Sequence, residues 1–281
     1  MTGETWTTAK RRVRDGMKVV ERLDEQAALM IPCGAVGRVR TPIRTAASTA
    51  AAAAVAFGAL LATPASGAVA DEVGAPTKER AWVAEILYPV AARTGPSPRA
   101  RVKEQVLHYT AYSRRRQVLL VTGAHTEPGG RRWVRVELPT RPNQNMGWVP
   151  ADAVRLSSTG LRFRVSIARR VLEVWRDGKL TRTIKVAVGA PNTPTSTGLF
   201  AVADPVKSNG HLGPHIIVLT AYSRVYHEFL GGPGVHAIHG WGDAGAFGRA
   251  VSNGCVRTSR RDVAWIARIA KPGTPVEITR S

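Results

Sequence analysis

"SNGCVR", Ser252 to Arg257, decides how this chain is read. It holds Cys255, one of two cysteines in the chain, and sixteen residues upstream stands His239 in "IHG", Ile238 to Gly240. Three roles compete for that thiol: a core residue, half of a disulfide, or a nucleophile. Thiols react as thiolates, and at a pKa near ~8.5 only a few per cent is ionised at neutral pH, so a nucleophile needs a basic partner. The intervening "GWGDAGAFGRAV" carries Gly240, Gly242, Gly245 and Gly248, enough for a tight return that sets His239 beside Cys255. Gly254 allows close approach of backbone to a substrate. The N–H groups of Gly254 and Cys255 are then candidate donors to the oxyanion of a tetrahedral intermediate. Arg257 shares the face of Cys255 if the chain is extended there, placed to stabilise the thiolate or to bind a substrate carboxylate.

The N-terminal seventy residues bear on the disulfide. Arg38, Arg40 and Arg44 precede the apolar run Ala46 to Ala62, and "TPASGAVA" follows. This is the pattern of a secretory signal peptide with cleavage after Ala70, and the run is shorter than the ~20 residues of a spanning helix. A retained anchor is the minor alternative. The basic region ahead of the run is long, and initiation at Met30 is expected. Cleavage after Ala70 removes Cys33 and leaves Cys255 alone, which excludes an intramolecular disulfide. An isolated cysteine is more often a small buried hydrophobe. The exported compartment, the glycine loop and the flanking Gly254 and Arg257 turn the reading toward a nucleophile.

The chain carries 40 Lys and Arg against 20 Asp and Glu, a net charge of +20. The leader holds nine of the basic and five of the acidic residues, so 31 remain against 15. Such a field attracts anionic partners, and an exported protein meets anionic wall polymers before nucleic acid. Zinc-finger spacing, a basic heptad helix and RNP-like aromatics are absent from the sequence, so nucleic-acid binding is not expected. His236 and His239 form an H-x-x-H pair, with His211 and His215 as further potential ligands. Positions 236 and 239 fall on opposite faces of a regular strand, and no metal is expected. His236, His211, His215 and His227 are read as structural or substrate-lining, and His108 and His125 as surface residues.

The rest is mainly β. "QVLLVTG" (Gln117 to Gly123), "RRWVRVELP" and "MGWVPADAV" are short strands with Gly/Pro punctuation, the signature of a small barrel. Together with "RTGPSPRA" they resemble bacterial SH3-like domains, which places such a module at residues 80–157. Beyond Thr159, "LRFRVSI" alternates, and Asp177-Gly178 joins "VLEVW" to "LTRTIKVAVG" as a hairpin turn needing positive φ at both central positions. "PHIIVL" reads as a buried strand. Ser259 is the expected N-cap of one late helix carrying Val263, Ile266 and Ile269/Ala270, which Lys271-Pro272-Gly273 ends before a "PVEI" strand.

"IHGWGDAGAFGRAVSNGCVR" resembles the active-site signature of the YkuD-type L,D-transpeptidases. The likeness extends through "LEVWRDGKLTRTIKVAVGAPNTPTSTGLF" upstream and "KPGTPVEI" downstream, and implies a β-rich catalytic domain over 159–281. By resemblance, Cys255 is the nucleophile and His239 the general base and acid. The Gly240 carbonyl orients the imidazole, and Ser252, Gly254 and Arg257 shape the oxyanion and substrate site, with His236 beside them. Many members have Ser-His-Gly-Cys where this chain has Asn253. The implied reaction takes no cofactor. Cys255 attacks the third-residue carbonyl of a peptidoglycan tetrapeptide stem, D-alanine leaves, and the acyl group passes to a side-chain amine of another stem as a 3→3 cross-link. Carbapenems are the implied inhibitors. Water as acceptor gives an L,D-carboxypeptidase, and a wall-binding protein without catalysis is the reading from another class.

Overall fold

The alternating run that opens "LRFRVSI" is a strand, with Leu161, Phe163 and Val165 buried. The computed structural model describes residues 73–229 and 231–281. The expected leader, its cleavage site and Cys33 lie outside the described residues.

The first sheet is built from β1 (Ala81–Ile86), β2 (Val90–Arg93), β3 (Val102–Val106), β4 (Val118–Thr126), β5 (Arg132–Glu137), β6 (Met146–Pro150) and β7 (Val154–Thr159). Its order is β3-β2-β6-β5-β4-β1-β7, with antiparallel neighbours throughout. One face of the curled sheet buries Ile86, Leu119, Val121, Val134, Val136, Leu138 and Val149 as a core of its own.

The second sheet follows at once, with β8 (Leu161–Ser166), β9 (Val171–Arg176), β10 (Lys179–Lys185), β12 (Gly198–Lys207), β13 (His215–Tyr222), β14 (Val235–Trp241), β16 (Val256–Ser259) and β17 (Pro275–Thr279). Between them, β11 (Val188–Gly189) and β15 (Ala250–Ser252) form a separate parallel pair. The main sheet runs β10-β9-β8-β17-β12-β13-β14-β16. The β9–β10 turn has Asp177 at φ 49° and Gly178 at φ 76°, the positive pair the hairpin demands. Helix α1 (Arg260–Ile269) begins where Ser259 Oγ accepts from the Asp262 amide at 3.0 Å. It buries Val263 and Ile266 against Phe163, Phe200, Ile217, Ile238 and Val256.

The two sheets pack on each other. Ala81 and Leu120 of the first share a small apolar cluster with Leu199 and Ala201 of the second. Gly273 lies so close to Val83 and Val118 that a Cβ there would sit 2.9 and 3.1 Å from their methyl groups. Buried Glu137, at the end of β5, accepts a hydrogen bond from Thr220 of β13.

Candidate active site

The site rests on one parallel pairing. β14 and β16 run side by side with Ile238 opposite Val256 and His239 opposite Arg257. Side chains alternate along both strands, so Ile238 and Val256 enter the core beneath α1. Ala237, His239, Cys255 and Arg257 take the other face, which no helix among the described residues covers, and line one cavity of about 400 Å³. The glycine-rich segment after Gly240 makes the return expected of it, through a short 3₁₀ turn at Ala244–Ala246 and the strand β15.

His239 is buried. Its Nδ1 lies 2.9 Å from the Gly240 carbonyl oxygen. A carbonyl only accepts, so Nδ1 carries the proton and the neutral ring keeps its lone pair on Nε2. Gly240 is itself fixed, its N–H donating to Leu212 O at 2.8 Å. Burial pulls the His239 pKa below the usual histidine value. The Gly240 bond opposes this, while Arg257 and His211 add to it.

Cys255 is a half-buried free cysteine. Enclosure of its thiol pushes the pKa up, against a hydrogen bond from the Ala237 backbone amide and the charge of Arg257. With the thiol shifted up and the imidazole down, the resting pair is neutral thiol and neutral imidazole. A nucleophilic role for this thiol would need its proton to pass to the imidazole during attack.

The Cys255 loop is held from within and from outside. Ser252 Oγ donates to Cys255 O at 2.6 Å and accepts from Gly254 N at 3.1 Å. This corrects the expectation for Gly254: its N–H is turned to Ser252, which leaves the Cys255 N–H as the candidate oxyanion donor of the pair. The reason for a glycine also differs. Gly254 sits at φ +113°, and a Cβ there would lie 2.3 Å from His236 Cε1, so the close approach is to an imidazole ring. His236 is buried, and its Nε2 accepts from the Ser196 amide at 3.3 Å. Burial, with the charge of Arg141, lowers its pKa to about 4, so it stays neutral. The pairing of β13 with β14 is irregular between Val218 and Tyr222, opposite this residue, and His236 reaches the cavity rim alongside His239.

Arg257 lays its guanidinium 3.8 Å from the centroid of the Trp241 ring. Its backbone exchanges two hydrogen bonds of 2.9 Å with Ala187. Asn253 is exposed on the cavity wall. His211 also lines the cavity, whereas His227 and His125 are exposed and His108 and His215 are half-buried away from Cys255.

The sequence placed the loop "APNTPTS" within the family likeness but gave it no role. Thr193 Oγ1 donates to Ser252 O at 2.9 Å and Thr195 Oγ1 to Gly254 O at 2.8 Å. Thr195 Oγ1 in turn accepts from Gly189 N at 2.8 Å. These hydroxyls tie down the carbonyls on either side of the Asn253 turn. A cluster of Thr and Ser in a Pro-rich loop was the available signal, but nothing in it named the partner some sixty residues on.

Fold and site together define a half-buried cysteine with a tautomer-fixed histidine on one face of a β-sheet. Residues 161–278 match the family model YkuD, the L,D-transpeptidase catalytic domain. That match takes in the second sheet, α1 and the whole His239–Cys255 constellation. The YkuD protein of Bacillus licheniformis is 32% identical over 118 residues, 42% of this chain and 65% of the relative. The YkuD protein of Bacillus subtilis is 31% identical over 116 residues, 41% of this chain and 64% of the relative. The chain thus spans slightly under two thirds of the length of these curated relatives. Among solved structures, L,D-transpeptidase 3 from Mycobacterium tuberculosis aligns with 61% of this chain and 93% of its own, at 16% identity and a TM-score of 0.37.

Proposed function

We propose that this protein is an exported peptidoglycan L,D-transpeptidase acting through Cys255. The observation that carries the reading is the shared cavity face of Cys255 and His239, with Nδ1 of the histidine committed to Gly240. As the Cys255 thiol approaches the third-residue carbonyl of a tetrapeptide stem, its proton passes to His239 Nε2 and a C–S bond forms. The oxyanion meets the Cys255 N–H. Collapse breaks the C–N bond to the terminal D-alanine, whose amine takes the proton from His239. A side-chain amine of a second stem then attacks the thioester, gives its proton to His239, and releases Cys255 as the thiol. Atoms and protons balance over the cycle, and the product is the 3→3 link. Arg257, beside the thiol, offers a positive charge to a substrate carboxylate, and carbapenems are acyl donors to the same sulfur.

The chain is proposed to carry a leader over 1–70 that is removed after Ala70, an SH3-like module over 80–157 and the catalytic domain over 159–281. Its net positive charge suits anionic wall polymers. Incubation with a tetrapeptide stem tests the reaction: D-alanine release with a cross-linked dimer is the expected result. Tripeptide without dimer would instead mean a carboxypeptidase, and an unchanged stem would leave a wall-binding protein.

A further inference from the structure

Between β13 and β14, residues 223–229 and 231–234 form one wall of the cavity through Ser223, Tyr226, Phe229, Pro233 and Gly234. Few of its side chains are anchored in the core: Val225 and Phe229 are 49% and 38% exposed. Its neck is held instead by a residue of the first sheet's territory. Arg141, in the loop between β5 and β6, donates from Nη1 to Ser223 O at 2.8 Å. From Nη2 it reaches Tyr226 O at 2.9 Å and Pro233 O at 3.1 Å. One guanidinium thus joins both ends of the wall segment and a carbonyl within it. Gly234, at φ +66°, is shaped to that arrangement, since a Cβ would lie 2.2 Å from Tyr226 O and 3.1 Å from Arg141 Nη2.

The fork is itself oriented. The Arg141 guanidinium stacks 4.8 Å from the Tyr222 ring centroid, and Tyr222 OH donates to Pro139 O. Asn143, two residues on, takes the Tyr222 amide on Oδ1 at 2.7 Å and gives Nδ2–H to the Tyr222 carbonyl at 2.9 Å. Planar five-donor geometry is what a lysine at this position would lack.

We propose that Arg141 is a positioning residue for the substrate-facing wall, so that the catalytic cavity takes its working shape only with the 139–145 loop docked. This rests on the transpeptidase reading for the identity of the substrate. Arg141 lies outside the segment matched by the catalytic-domain family, so the wall of the active site is set by a part of the chain that carries none of the reacting groups.

The test compares the full chain with Arg141→Ala, Arg141→Lys and Ser113→Ala. The last removes a contact between Ser113 and Asp204 that also joins the two sheets but includes no residue of the wall segment. Three quantities are read: KM and kcat for a tetrapeptide stem, the rate of Cys255 alkylation by iodoacetamide, and amide hydrogen exchange across 223–234. Both Arg141 variants are expected to raise KM at least fivefold and speed wall-segment exchange at least tenfold, with kcat and alkylation within about twofold of the parent. Ser113→Ala is expected to leave KM and wall exchange in place. Unchanged KM and exchange in Arg141→Lys would overturn the proposal. So would a uniform fall in kcat, alkylation and melting temperature in both Arg141 variants. A parent protein that leaves the stem untouched would defeat the transpeptidase reading. Faster wall exchange in Arg141→Lys alone would then still report the positioning role.

Discussion

The Nδ1–H of His239 is spent on the carbonyl of its own neighbour, Gly240, at 2.9 Å. That bond fixes which nitrogen keeps its lone pair, and the parallel pairing of β14 with β16 puts Cys255 on the same cavity face. Cys255→Ala and His239→Ala should each lower acylation of the protein at least a thousandfold, read as the appearance of the acylated mass. Circular dichroism and melting should stay close to the parent.

The pH profile follows from the two shifts. On the proposed reading His239 must be neutral to accept the thiol proton, and burial lowers its pKa from 6.5. Acylation should therefore persist below pH 6.5 and be lost as pH falls through the depressed value. The thiol is shifted up from 9.0, so direct alkylation by a small neutral reagent should rise only on the alkaline side. Arg257→Ala removes a charge that lowers the thiol pKa, and should move the alkylation midpoint to still higher pH.

Gly254 should be intolerant of any side chain. A Cβ 2.3 Å from His236 Cε1, on backbone at φ +113°, combines steric overlap with strain, together costing roughly 2–5 kcal/mol. Gly254→Ala should lower the melting temperature by several degrees and depress acylation. Adding His236→Ala should recover part of the stability, because it removes the overlap and leaves the strain. No recovery in the double variant would contradict the assigned cause.

Glu137 supplies a pH dependence of folding. Burial pushes its carboxyl up to about 8, with the Thr220 hydrogen bond opposing. The unfolded chain binds the proton only below about 4.5, so the folded state holds an extra proton between those values. Its contribution to stability is complete below pH 4.5 and is lost as pH rises toward and through 8. Glu137→Gln should flatten that slope in denaturant titrations and leave the protein more stable than the parent at pH 8 by on the order of a few kcal/mol.

Most of the secondary structure was legible because it obeys local rules. The Asp177-Gly178 hairpin, the Ser259 cap and the alternation of Leu161, Phe163 and Val165 each depend on residues within a turn of one another. Cys255 and His239 were legible as a pair, and the glycines between them permitted the return. The register that brings them to one face depends on β14 and β16 being parallel neighbours, a tertiary fact. For Gly254 the sequence pointed to the right residue and the wrong contact, since the ring that excludes a Cβ belongs to His236. Thr193, Thr195 and Arg141 were illegible for a common reason. Each acts on backbone carbonyls between about sixty and ninety residues away, and carbonyls have no sequence signature.

The central claim is that Cys255 is an acyl-accepting nucleophile. Its most direct test is intact mass, with peptide mapping, of the folded protein after exposure to a carbapenem, beside a Cys255→Ala control. One adduct per chain, located on the peptide containing Cys255 and absent from the control, is the expected result. A folded parent that gains no adduct, or an adduct that persists in Cys255→Ala, would contradict the account.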